Sequence, residues 1–190
     1  MTGSPFQGKT ITLRPFEPDD GPAFAAYLNH PDLTGRRSIP WGFPDVAPLS
    51  QQQAQAIIQR WSEGESSLHQ AIVRVEDHTL IGHIDCDWEW DPHQPSLAVV
   101  IAPDCQRQGY GSEALRLILR YLFEYTPAHN VSSWIADWNE AARQFAAHHH
   151  FQESGRLRRV GIRQGRYYDL VVADLLRPEW QRWGGEHDAA

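Results

Sequence analysis

Residues 99–115, VVIAPDCQRQGYGSEAL, constrain the chain more than any other stretch. An apolar strand enters a turn holding Gln106, Arg107, Gln108, Gly109, Tyr110 and Gly111, and the turn opens the most regular helix of the sequence. Over 112–125, Leu115, Ile118, Leu119, Leu122 and Phe123 recur three and four residues apart and form one apolar stripe. Glycines between a strand and a helix let backbone N–H groups converge on an anion at the positive end of the helix dipole, which suits a pyrophosphate. The turn is not a Walker loop, since no Gly-Lys-Ser/Thr follows. Nor is it a dinucleotide fingerprint, which needs a third glycine in a parallel βαβ unit. Read alone, it is equally an ordinary strand-to-helix turn with two glycines.

The rest of the chain interleaves the two periodicities. Residues 10–16 alternate around Ile11 and Leu13 and end at Pro15 and Pro18, which reads as a first strand. The Ala-rich run 23–29 predicts a short helix stopped by Pro31. Residues 34–48 are too rich in Gly and Pro for regular structure, and Ser50 then caps a second helix carrying Ala54, Ile57, Ile58 and Trp61 at helical spacing. Residues 68–75 and 79–90 predict a hairpin turning at Asp77 and His78, and 97–101 a short strand. A strand over 131–136, a helix over 140–149 and a hairpin of 156–162 with 166–176, turning at Gln164 and Gly165, complete the pattern. The order predicts an α/β (α+β) fold, a mixed, mostly antiparallel central sheet flanked by helices. A single domain over 1–190 is expected, with the first nine residues and about 178–190 as peripheral tails.

Composition narrows the function classes. The 190 residues are 41% hydrophobic, enough to bury a core without disulfide or metal staples. The 2 cysteines, Cys86 and Cys105, exclude a disulfide scaffold and fit a reducing compartment. No run of about 18 apolar residues occurs and residues 1–9 lack the apolar stretch of a signal peptide, so a soluble, cytoplasmic protein is expected. The net charge of −7 is spread without a Lys/Arg block. That argues against nucleic acid or a membrane as partner and suits cationic small molecules or peptides.

The string Gln-x-x-Gly-x-Gly over 106–111, followed by Ser-Glu-Ala-Leu, resembles motif A of the GCN5-related N-acetyltransferases (GNAT). Three further segments are similar to the same family in the same order: 11–20 with Leu28-Asn29-His30-Pro31, then 139–151, then Gly165-Arg166-Tyr167-Tyr168-Asp169 up to Trp180. The last resembles the branch that acetylates the N-termini of ribosomal proteins. The resemblance covers about 10–180. It implies acetyl-CoA as acyl donor, used as a substrate with no metal, and an amine-bearing peptide or small molecule as acceptor. It implies that the pantetheine arm pairs with Val99, Val100 and Ile101, and that the phosphates sit on main-chain N–H groups from Gln106, Arg107, Gln108, Gly109, Tyr110, Gly111 and Ser112. Asn139 matches the family's Asn near the pantetheine and is equally an N-cap for the next helix. A homodimer is compatible with the resemblance.

Two usual catalytic side chains are absent. The family's Tyr acid falls on Ala146 and the Glu that often starts the coenzyme-binding strand on Ser96, while its Gly before Phe151 is His150. The replacement base is expected in Ile84-Asp85-Cys86-Asp87-Trp88-Glu89-Trp90, where alternation puts Asp85, Asp87 and Glu89 on one face; Asp87 is favoured, then Asp85. The other reading is a solvated polar strand face. These departures keep a catalytically silent coenzyme A-binding domain as the competing class, beside an antibiotic or polyamine acetyltransferase or a larger-acyl transferase. His148, His149 and His150 lie about 100° apart on a helix and do not chelate one ion together. Of the 8 tryptophans, Trp61 and Trp134 read as core. Trp41, Trp88, Trp90 and Trp138 read as walls of an aromatic acceptor pocket, with core filling as the alternative.

Overall fold

In the computed structural model the described residues are 4–37, 47–64, 67–88 and 91–184. The strands are β1 (Ile11–Arg14), β2 (Ser67–Arg74), β3 (Leu80–Asp87), β4 (Ser96–Ile101), β5 (Asn130–Ala136), β6 (Gln152–Arg163) and β7 (Arg166–Leu176). The helices are α1 (Gly21–Leu28), α2 (Gln51–Glu63), α3 (Tyr110–Tyr125), α4 (Glu140–His148) and α5 (Arg177–Gly184). Strand order is β1-β2-β3-β4-β5-β7-β6, with β4–β5 parallel and the pairs β1–β2, β2–β3, β5–β7 and β6–β7 antiparallel. This is the mixed, mostly antiparallel sheet that the pattern predicts. The chain forms two compact units, residues 1–87 with 98–125 and residues 88–97 with 126–190.

In the first unit, α1 and α2 bury Phe24, Leu28, Ala54, Ile57 and Ile58 in one cluster with Ala71, Val73 and Val100 of the strands. Each such side chain withdrawn from water contributes about 1.5–3 kcal/mol if it is as large as Leu, Ile or Phe. Helix α2 starts where Ser50 and Gln53 close a capping box, with Gln53 N–H donating to Ser50 Oγ at 3.1 Å and Ser50 N–H to Gln53 Oε1 at 2.8 Å. The approach to α1 is fixed by buried Asp20, whose carboxylate accepts two 2.7 Å bonds from Arg14 and one of 2.8 Å from Glu17 N–H. The α3 stripe of Leu115, Ile118, Leu119, Leu122 and Phe123 is buried as its spacing predicts.

The N-terminal residues, read as a tail, dock on α3. Phe6 packs on Tyr121, Arg120 donates to Pro5 O at 3.0 Å, and the Glu113 carboxylate accepts from Lys9 N–H, Thr10 N–H and the Thr10 hydroxyl.

In the second unit, β5 lies beside β7, and Arg177 at the head of α5 donates to Thr126 O at 2.8 Å and Ala128 O at 2.9 Å. Residues 177–184, read as part of a tail, are thereby a helix. Trp134, expected in the core, is 54% exposed. It has the opposite strand parity to Val131 and Ile135, which take the buried face of β5.

Candidate active site

The glycine turn has a backbone that only part of its sequence dictates. Gly109 has φ +89° and Arg107 φ +62°, while a Cβ on Gly109 would meet nothing within 4 Å. The glycine therefore serves the left-handed conformation and leaves open space above the turn. Glu113 N–H donates to Gly109 O at 3.0 Å and begins the α3 ladder, so Tyr110, Gly111 and Ser112 lie ahead of the first intrahelical bond. Main-chain donors at a helix start above an exposed turn fit an anionic ligand.

The turn's side chains brace it. Gln106 Nε2 donates to Ile101 O at 2.9 Å and Gln108 Nε2 to Asp104 O at 3.1 Å. The Tyr110 side chain hydrogen-bonds Arg74, which also forms a bidentate pair with Asp77 at 2.6 and 2.9 Å. The side chains of Gln106, Gln108 and Tyr110 thus brace the turn, consistent with main-chain roles for these positions, and the Gln106 N–H itself is taken by Pro103 O at 3.2 Å. Val99 and Ile101 are half-buried and Val100 is in the core.

Alternation on β3 places Ile84 and Cys86 in the core and Asp85 and Asp87 on the opposite, half-buried face. Burial, with the charges of Asp85 and Asp87 beside it, pushes the Cys86 thiol well above its ordinary range. Aromatic side chains of α1 and α2 cover this face at His83 and His69, while Asp85 and Asp87 toward the strand end stay half-buried. His83 is fully buried, with ring contacts to Phe24, Tyr27 and Trp61, and its Nδ1 is 2.8 Å from the Tyr27 hydroxyl. Burial drives the Tyr27 phenol far above its usual range.

Across the β2–β3 ladder, Ser67 opposes Asp87 and His69 opposes Asp85. The His69 ring stacks on Trp61 at 4.4 Å and 8°, with Nε2 2.9 Å from Ser67 Oγ and Nδ1 3.2 Å from Asp85 Oδ1. The last contact is off the alignment of a hydrogen bond. Sequence reasoning missed Ser67, His69 and Tyr27, and considered His83 only as a metal ligand with Asp85 and Cys86. Only the i, i+2 spacing of Ser67 and His69 on a predicted strand hints that both share a face, and nothing local joins them to Asp85.

In the second unit, Asn139 is the N-cap of α4, its Oδ1 accepting from Ala142 N–H at 3.4 Å. Ala146 is buried, so its position offers core packing rather than an acid. Ser96 pairs with Ser132 at the start of β4. Trp138 has the Arg163 guanidinium 3.9 Å over its ring and Tyr168 edge-on at 6.2 Å. The surface thus holds a cation on Trp138, supplied by the chain itself. Trp88 is half-buried, and Trp41 and Trp90 fall outside the described residues. His150, where the family has Gly, adopts φ +66° after α4 and stacks on Trp183 at 4.3 Å and 8°. That stacking offsets the left-handed cost of about 1–2 kcal/mol. Among the described residues no three His, Cys, Asp or Glu side chains gather as metal ligands. No described helix is long and apolar enough to cross a membrane.

A glycine turn between strand and helix, on this mixed and mostly antiparallel sheet order, defines the fold of the chain. Residues 10–152 match the family model of the acetyltransferase (GNAT) domain, and the chain belongs to that family. Its members use acetyl-CoA as donor and amines as acceptors. Among curated relatives, the chain is 24% identical to the uncharacterized N-acetyltransferase YnaD of Bacillus subtilis (strain 168), over 90% of this chain and 96% of that one. Among solved structures, a GNAT-family acetyltransferase from Bacillus anthracis superposes with a TM-score of 0.79 at 17% identity, over 92% of this chain and 99% of the other. A mutant of the spermidine/spermine N-acetyltransferase SpeG from Vibrio cholerae gives 0.74 at 18% identity, over 93% and 99%.

Proposed function

We propose that this chain works as one cytoplasmic acetyltransferase domain that moves the acetyl group of acetyl-CoA to a primary amine by direct attack in a ternary complex. The reading is carried by the β4–α3 turn, where Gly109 is left-handed and open above its Cβ position at the start of a 16-residue helix. Main-chain N–H groups over 107–112 hold the pyrophosphate and Val99 to Ile101 the pantetheine arm; Asn139 is assigned to that arm by its place in the family motif. The amine nitrogen bonds to the thioester carbonyl carbon, the C–S bond breaks, and the thiolate leaves and takes a proton from solvent. The amine's own proton passes to Asp87 or Asp85, the carboxylates on the strand next to β4.

The acceptor is a cationic amine, a peptide N-terminus or a polyamine, which the net charge of −7 attracts. Trp88 is the described aromatic position offered to it, while Trp138 would take part only where an acceptor cation displaces Arg163 from its ring. Incubation with acetyl-CoA and N-terminal peptides, polyamines or aminoglycosides, followed by free-thiol titration, tests the reading. Amine-dependent thiol release is expected; coenzyme A binding without release for any amine would instead mark a silent binding domain.

A further inference from the structure

The covered face of β2 and β3 carries a row of polar side chains that the family pattern leaves unassigned. Asp85, His69 and Ser67 follow one another at 3.2 and 2.9 Å, and Ser67 opposes Asp87 in the ladder. The imidazole therefore lies beside Asp85, and its other nitrogen meets the hydroxyl of Ser67, a residue paired with Asp87 in the ladder. Its side chain is 4% exposed and clamped flat on Trp61, so the ring is held in one plane. Burying an imidazole between a carboxylate and a hydroxyl costs desolvation that a Leu or Val there would not. The arrangement has the order of a carboxylate, an imidazole and a hydroxyl, with one ring nitrogen facing the carboxylate and the other the hydroxyl. The inner end of the row is closed by His83 and Tyr27, both buried, whereas Ser67 and Asp87 are half-buried at the other end. Protons thus have one direction of exit.

We infer that His69 is a positioning residue for acetyl transfer: it orients Asp85 and carries the acceptor amine's proton from the strand carboxylates through Ser67 toward solvent. The inference rests on the proposed acetyltransferase reading. A cationic amine must lose a proton before its lone pair attacks the thioester. Passing that proton on to the imidazole returns the carboxylate to its ionised form for the next turnover. The balance is simple. The ammonium gives up two protons: the first passes by a strand carboxylate to the ring, which returns one to water through the Ser67 hydroxyl, and the second, released once the C–N bond has formed, goes to solvent as the leaving thiolate takes one up. The His69 side chain meets Asp85 of β3, Ser67 of its own strand and Trp61 of α2, and Trp61 in turn meets His83, whose ring is bonded to Tyr27 of α1.

The test compares the full chain with His69→Gln, Asp85→Asn and Ser67→Ala, using acetyl-CoA and a peptide bearing a free N-terminal amine or spermidine, whichever the unmodified protein turns over. At pH 7, His69→Gln is expected to lower kcat about tenfold or more with the KM for acetyl-CoA unchanged. With the peptide, most of that loss should disappear near pH 9.5, where the amine, of ordinary pKa about 8, arrives neutral. Should His69→Gln fail to fold, Ser67→Ala, which deletes one surface-side oxygen, must show a smaller loss with the same pH recovery. A loss independent of pH in these variants overturns the relay and marks a structural role, and so does an unaltered kcat. An unmodified protein that turns over none of the amines overturns the acetyltransferase reading and the relay with it; an active protein with an indifferent His69 overturns the relay alone.

Discussion

Gly82 of β3 lies against the Val100 carbonyl of β4, so close that a Cβ built on the glycine would sit 2.2 Å from that oxygen. The neighbour is backbone and does not swing aside. Gly82 thereby sets how closely the carboxylate strand approaches the strand assigned to acetyl-CoA. Gly82→Val is expected to cost about 3 kcal/mol or more, lowering the thermal midpoint by roughly 6–12 °C, with weakened coenzyme A binding. Scanning calorimetry with and without coenzyme A checks both, and an unshifted midpoint contradicts the close approach.

At Gly109 the physics is reversed, because space is open and the backbone is restrictive. Gly109→Val costs about 1–2 kcal/mol in the left-handed region and is relieved by reshaping the turn. The KM for acetyl-CoA should rise about tenfold with little change in melting temperature. An unchanged KM would refute the pyrophosphate assignment.

Asp87→Asn keeps the shape of the strand end and removes its charge. Loss of general-base help is expected to cut kcat by about a hundredfold or more while acetyl-CoA affinity, measured calorimetrically, holds. Wild-type rates across the pH range would return Asp87 to a purely structural role.

The Arg14–Asp20 pair makes stability depend on acid. Burial alone raises the Asp20 carboxyl, but the hydrogen bonds and charge of Arg14 together with Glu17 N–H outweigh it and hold Asp20 below its ordinary value. A depressed carboxyl contributes stability in full above its unfolded value near 3.9 and loses it as the pH falls through the lower folded value. Asp20→Ala should destabilise by about 3 kcal/mol at pH 7, and the gap to the unmodified protein should narrow below about pH 4 in denaturant titrations.

The two thiols should separate cleanly. Cys86 is buried and its thiol is pushed up, while Cys105 is half-exposed in the turn before Gln106. A thiol reagent at pH 8 is expected to label Cys105 in the folded chain and both cysteines only in denaturant. Fast labelling of Cys86 would place β3 in a different register.

What the sequence by itself determined was everything carried by short-range periodicity and local chemistry. The α3 stripe, the Ser50 N-cap, the hairpin turning at Gln164 and Gly165, and the strand-turn-helix of 99–115 follow from residues within a few positions of one another, and each lies where its pattern predicts. Alternation likewise put Asp85 and Asp87 on one face of β3 opposite Cys86. Only the tertiary structure decided what that face meets. Whether a polar strand face is solvated or lies under Trp61 and Tyr27, and whether Asp85 is joined by His69, depends on register with a strand many residues away and on which helices cover the sheet. Trp134 shows the same limit, since β-parity names two faces without saying which one is buried. Backbone periodicity is a property of neighbours in the chain, whereas pairing register and coverage are won by the summed burial of the whole core.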